Sequence, residues 1–317
     1  MNLDRMLDKC QKGQWNVNDF DWTQKPASLS RFDEMEACQA FTNLIYIERI
    51  AAAAFLEFAK QAADPTEKAI FGTFYDDEIR HAEAMWHLAK YFDVHQYRIY
   101  TPDPNLVKFV RAMSEMINGI SPEFASAMVT AGELVLDVAL LRSVNDYIED
   151  PLSRAVIEKV NQDESRHIAM DFYLCEKYGQ EAGEPPSLKD FFDTMSNPTL
   201  VSGMYWATVA LSEMFGRIQA IMDPAGTRFI EAQRRFAMLG EKNPKIAANR
   251  NYAAVLRINT VSQDFFGGLR RIMQLLRVGL FREMKEAEKR GEKRKAPRQS
   301  AGHDPVKTAV DLLEEMN

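Results

Sequence analysis

Asp77-Glu78-Ile79-Arg80-His81 returns 86 residues later as Asp163-Glu164-Ser165-Arg166-His167. In each copy the glutamate and histidine stand at i and i+3, positions that share one face of an α-helix. Carboxylate and imidazole are both metal-ligating groups. A helix that carries them twice, in one chain, implies two helices turned toward a common interior. One Glu-x-x-His is a weak signal, so the flanking sequence has to supply the rest of any site.

Working outward, Asp64-Pro65-Thr66-Glu67 is a helix start: Asp64 caps, Pro65 fits N1 and Glu67 sits at N3. Asp150-Pro151 repeats the device before the second copy. Upstream of Asp64, residues Met35, Cys38, Phe41, Ile45, Ala52, Phe55 and Phe58 recur at helical spacing and predict a helix over 31–63. The helix after Asp64 is expected to reach about Phe92. A shorter helix is predicted over about 105–118, a long one from Ser121-Pro122-Glu123 to near Glu149, and another from Asp150 to about Tyr178. Two antiparallel helices bring residues to one depth when these lie equally far from the connecting turn, at ~1.5 Å rise per residue. Glu48 lies 16 residues before Asp64 and Glu78 lies 14 after it; Glu133 lies 17 before Asp150 and Glu164 lies 14 after it. Four helices can thus point Glu48, Glu78, Glu133 and Glu164, with His81 and His167, at one place. Four glutamates buried together without compensation would each cost several kcal/mol. Two divalent cations would balance them, and oxygen and imidazole donors suit iron or manganese. The bland alternative, surface helices laced by salt bridges, sits poorly with the apolar neighbours of Glu48 and Glu133 (Ile45, Ile47, Val129 and Leu134).

Composition narrows the classes. The 317 residues are 46% hydrophobic and 27% charged, as in a soluble globular protein. A net charge of −7 argues against nucleic acid as the main partner, since phosphate binding needs clustered basic charge. The three cysteines share no close spacing, so neither a disulfide framework nor a thiolate site is expected. Residues 1–12 are polar, with no secretory signal, and Leu200–Phe215 is too short and polar for a membrane span. A cytoplasmic location is the expectation. No alternating strand pattern appears, so the chain is expected to be all-α: an irregular N-terminal arm over 1–30 that docks Trp15, Phe20 and Trp22, a four-helix bundle over 31–180, additional helices covering it over 181–290, and a charged linker with a short C-terminal helix over 291–317.

The constellation resembles the ferritin-like di-iron carboxylate superfamily over about residues 31–180. That superfamily includes ferritins, acyl-carrier-protein desaturases, ribonucleotide reductase small subunits and multicomponent monooxygenase hydroxylases. The resemblance implies a ferritin-like four-helix bundle with additional C-terminal helices. It also implies six metal ligands (Glu48, Glu78, His81, Glu133, Glu164, His167) and a cofactor of two iron ions, with an iron–manganese pair equally compatible. Asp-Glu-x-Arg-His looks most like the monooxygenase hydroxylases, in which the aspartate orients a ligand histidine; Asp77 and Asp163 would do this here, with Arg80 and Arg166 as their charge partners.

Departures from the family narrow the chemistry. Reductase subunits carry a radical tyrosine four residues after the first ligand histidine, where this chain has Met85. The ligand-binding oxidases that resemble them crosslink a valine to a tyrosine; the matching positions here are Ile50 and Met128. Arylamine N-oxygenases add a histidine where Val160 stands. Asp137 takes the place of a threonine one turn after the third glutamate, and Asp137 and Thr130 are the candidate catalytic side chains. Phe41, Ile45, Ala52, Phe74, Val129, Thr130, Val160 and Asn161 would line a mostly apolar cavity. The expected function is a dioxygen-dependent oxidase or oxygenase acting on an apolar or aromatic small organic substrate. An external electron donor (a reductase or ferredoxin) would serve it, because no flavin, nicotinamide or iron–sulfur motif is present, and a homodimer is expected. The alternatives are a ferroxidase, a reductase small-subunit-like protein lacking the usual radical tyrosine, and a helical interaction module with a structural metal.

Overall fold

In the computed structural model, residues 1–116, 122–181, 216, 218, 220–223, 227–257, 311 and 312 are described. Every regular element among them is helical. The helices are α1 (Leu3–Lys12), α2 (Arg31–Gln61), α3 (Pro65–Phe92), α4 (Pro104–Met116), α5 (Pro122–Glu133), a π-helical stretch (Leu134–Leu141), α6 (Arg142–Ile148), α7 (Pro151–Glu181), α8 (Thr227–Lys242) and α9 (Pro244–Ala248). Residues 250–257 are also helical.

The caps read from the sequence organise the long helices. Asp64 accepts from the backbone N–H groups of Thr66 (2.7 Å) and Glu67 (3.0 Å). Asp150 accepts from Ser153 (2.9 Å) through one oxygen and from Ala27 (2.9 Å) through the other, so the cap of α7 also anchors the N-terminal segment. Ser30 caps α2 on the Asp33 N–H. Two expectations change. The arm over 1–30 is not irregular throughout: Leu3–Lys12 forms α1, capped by Asn2, with Met6 and Cys10 buried one turn apart, and residues 13–30 are irregular apart from a single 3-10 turn at Val17–Asp19. The helix expected to run unbroken to Glu149 passes instead through the π-helical stretch directly after Glu133 and stops at Ile148.

Four rods, α2, α3, α5 continuing through the π stretch into α6, and α7, enclose the interior. Their apolar faces divide into two clusters. One holds Phe55, Phe71, Phe74, Leu134, Ile168 and Phe172; the other holds Phe41, Leu44, Met85, Leu88, Ile157 and Val160. Along α2, α3 and α7 the change from one cluster to the other falls at Glu48, at Glu78–His81 and at Asn161–His167. Each fully buried large side chain contributes ~1.5–3 kcal/mol, so the polar layer is braced from both sides.

Helices α8 and α9 lie against this unit. Arg228 pairs with Asp146 (2.6 Å), Lys245 with Glu176 (2.6 Å), and Asn249 donates to the Cys175 carbonyl (2.9 Å). A Cβ at Gly179 would stand 2.0 Å from the Lys245 carbonyl oxygen, so the close crossing of α7 and α9 requires glycine there. No helix among the described residues is long and apolar enough to cross a membrane. The stretch 200–215, residues 258–290 of the expected covering helices and the charged linker that begins at 291 lie outside the described residues. Of the helix expected after Asp304, only Asp311 and Leu312 are described; both are helical, and Leu312 is buried.

Candidate metal centre

The six side chains singled out from sequence converge in the polar layer. Glu48 comes from α2, Glu78 and His81 from α3, Glu133 from the last residue of α5, and Glu164 and His167 from α7. Glu78, His81 and His167 are fully buried, and the other three glutamates are nearly so. Their ligand atoms fall into two sets, each spanning at most 4.8 Å: Glu48, Glu78, His81 and Glu164 form one, and Glu78, Glu133, Glu164 and His167 the other. Glu78 and Glu164 belong to both sets, so they can bridge two positions, while Glu48 with His81 and Glu133 with His167 complete one position each.

Both imidazoles turn Nδ1 inward. His81 Nδ1 lies 3.2 Å from Glu164 and 3.6 Å from Glu78, and His167 Nδ1 lies 3.1 Å from Glu78 and 3.2 Å from Glu164. Both Nε2 atoms turn outward, and the two copies serve each other: His81 Nε2 is 2.9 Å from Asp163, and His167 Nε2 is 3.4 Å from Asp77. Such a carboxylate holds the Nε2–H tautomer and leaves the Nδ1 lone pair free to bind metal. Arg80 contacts Asp77 and also Asp163 (3.0 Å), and Arg166 contacts Asp163 and also Asp77 (3.4 Å). These two cations therefore face the two aspartates rather than the glutamates.

Electrostatics follows from that division. Burial pushes Glu48 and Glu133 well above the usual carboxylate range, and the charges of Glu78 and Glu164 add to it. Burial alone would lower both histidines, but their carboxylate partners override it and hold His81 and His167 well above the ordinary imidazole value. Burial alone would raise Glu164, but His167 and His81 together override it and hold this carboxylate well below its usual range. Protons thus balance the cluster in the metal-free chain. Both Glu78 oxygens and His81 Nδ1 are buried without a hydrogen-bond partner among the described residues. Buried polar atoms are rarely left so, and two divalent cations would satisfy them while neutralising four carboxylates. The donor set fits a di-metal centre, with Glu48, Glu78, His81, Glu133, Glu164 and His167 as the residues that would hold it.

The N-terminal segment adds Gln14, which local sequence did not mark, and gives the expected anchor Trp15 a target. Gln14 donates to Asp77 (2.9 Å) and accepts from Arg80 (2.6 Å); Trp15 donates its indole N–H to Asp163 (2.7 Å) and lies nearly parallel to the His81 ring. A Cβ at Gly13 would stand 2.7 Å from the Arg166 guanidinium, so glycine lets this segment approach. Asp171, one turn beyond His167, is also fully buried. Its i+4 spacing from the histidine could have been read from the sequence. Phe74 and Phe55 close one side of His167, with ring centroids 4.2 and 5.0 Å away. Phe41, Ile45 and Val160 pack as core. Thr130 donates to the Ser126 carbonyl (2.7 Å) and faces Cys175 (3.4 Å). Asp137 falls within the π-helical stretch, and its side chain lies outside the described residues.

Fold and site together define an all-α protein of the ferritin-like type with a carboxylate-histidine centre. Solved structures with this fold include an R2-like ligand-binding oxidase mutant with an anaerobically reconstituted Mn/Fe cofactor, 16% identical, covering 79% of this chain and 92% of that one with a TM-score of 0.53. Another R2-like ligand-binding oxidase mutant, with an aerobically reconstituted Mn/Fe cofactor, is 14% identical and covers 82% of this chain and 92% of that one with a TM-score of 0.50. No protein-family model and no curated protein matches the sequence.

Proposed function

We propose that this chain is a di-metal, dioxygen-dependent oxidase or oxygenase, with iron in both positions or iron beside manganese, acting on an apolar or aromatic organic molecule. The observation that carries this reading is the pair of overlapping ligand sets that share Glu78 and Glu164. The Mn/Fe cofactors of the structural neighbours support the choice of metals.

When bound, the metal pair would supply reductive activation of dioxygen. The protein's own contribution is positional. Glu78 and Glu164, common to both sets, would be shared by the two metals, and Glu48 and Glu133 would each serve one of them. Asp163 and Asp77 keep the Nε2 protons and so keep both Nδ1 lone pairs inward. Phe55, Phe74 and the apolar clusters above and below exclude water, which protects a reactive centre from side reactions. By the resemblance, Ile50 and Met128 would stand where the valine–tyrosine crosslink forms, and neither side chain can form it. Electrons would come from an external reductase or ferredoxin, and the unit would act in the cytoplasm as a homodimer.

Metal analysis combined with stopped-flow oxygen addition to the ferrous protein tests this reading. Two metals per chain and a transient optical species, both absent in Glu78→Ala, are expected. Fewer than two metals in the native chain, or full metal content in Glu78→Ala, would overturn it. Oxygen consumption that yields only ferric mineral would replace it with a ferroxidase.

A further inference from the structure

The two halves of the repeat part company one turn past the histidine. His81 is followed at i+4 by Met85, and His167 at the same spacing by Asp171. Both residues are fully buried. Asp171 shares the inward face of α7 with His167 at i+4 and with Glu164 at i+7. Both of its carboxylate oxygens lack a hydrogen-bond partner among the described residues. Burial raises its carboxyl well above the usual range, with Glu164 and Glu78 adding to the effect and His167 opposing it, and its charge also acts on Glu133. The nearby guanidinium groups, Arg80 and Arg166, already face Asp77 and Asp163. A carboxyl buried in this way stays neutral or requires a cation.

We propose that Asp171 is a seventh cation-binding side chain, which makes the Glu133–His167 half of the centre more anionic than the Glu48–His81 half, so that the Glu133–His167 position takes a divalent metal first. This inference rests on the di-metal reading. The oxygens of Asp171 lie outside the two four-residue sets, so it engages by rotation to another staggered side-chain well or through a bridging water. The first half offers Met85 at the equivalent place and gains no such charge. The two metal positions, alike in their Glu and His donors, are thereby unequal.

Titration of the metal-free full-length chain with Mn²⁺, followed by the electron paramagnetic resonance of the free ion, tests the proposal. The native chain should take up two ions with separate affinities. Asp171→Asn should weaken the tighter one about 10- to 100-fold, the range seen when a supporting carboxylate of a metal site is removed, and leave the weaker one unchanged. Asp171→Met copies the first half and fills the buried space; it should behave in the same way, and it answers the question if the Asn variant folds poorly by circular dichroism. Unchanged affinities in the folded variants, or equal weakening of both ions, would overturn the role of Asp171 and leave the di-metal reading standing. A native chain that binds fewer than two Mn²⁺ ions would overturn both.

Discussion

Asp77 and Asp163 show how one side chain can serve two purposes. Each accepts from a histidine of the other repeat and from both arginines, which couples the two motifs across the bundle. Arg166 is nearly buried, and removing one member of a buried ion-pair network leaves charge uncompensated, at a cost of ~3–5 kcal/mol. Arg166→Met should destabilise the metal-free chain by about that amount in urea denaturation; a loss below about 1 kcal/mol, the level of a surface pair, would show that the network is solvated. The thiols make a second residue-level test. Burial pushes Cys38 and Cys175 up to about 12 and raises Cys10 as well. Since the thiolate is the reactive form, none of the three should react with a disulfide reagent near about pH 8 in the folded chain, and all three should react once it is denatured. Rapid labelling of any cysteine in the folded protein would contradict this burial.

At the level of elements, the N-terminal segment behaves as part of the centre. Its sequence announces aromatic anchors but not their targets, because a contact between Trp15 and Asp163 joins residues 148 positions apart. Trp15→Phe keeps the ring beside His81 and removes the indole donor. Hydrogen bonds to charged groups contribute ~1.5–3 kcal/mol, so a stability loss in that range and faster release of bound metal to a chelator are expected. Native stability and an unchanged release rate would reduce the segment to a passive cover. The π-helical stretch after Glu133 escaped periodicity for a related reason: an inserted residue per turn reflects the packing of neighbours, and Leu134–Leu141 reads locally as an ordinary apolar helix. The Asp-Pro caps, by contrast, act within four residues and were legible.

The whole molecule carries the pH signature of its centre. In the metal-free fold Glu48, Glu133 and Asp171 are held above the carboxylate range, and His81 and His167 above the imidazole range. The folded chain therefore binds more protons than the unfolded chain, so its stability falls as pH rises above the ordinary carboxylate and imidazole values of about 4 and about 6.5. Asp77, Asp163 and Glu164 act in the opposite sense, since their folded values are depressed, but their contribution is lost only on acidification below about 4, the unperturbed carboxylate range. Metals replace those protons, so Mn²⁺ should raise the denaturation midpoint more at high pH than at low pH. Parallel pH profiles with and without metal would show that the cluster does not bind it. The all-α class, the long helices and the six convergent side chains were readable in the chain, because helical period, caps and rise per residue are local and additive along a helix. The crossed pairing of each aspartate with the other repeat's histidine, the Gln14–Trp15 contacts and the lack of a hydrogen-bond partner for Asp171 among the described residues arose only when the rods met, because each depends on which distant charges are left to balance once burial has removed water.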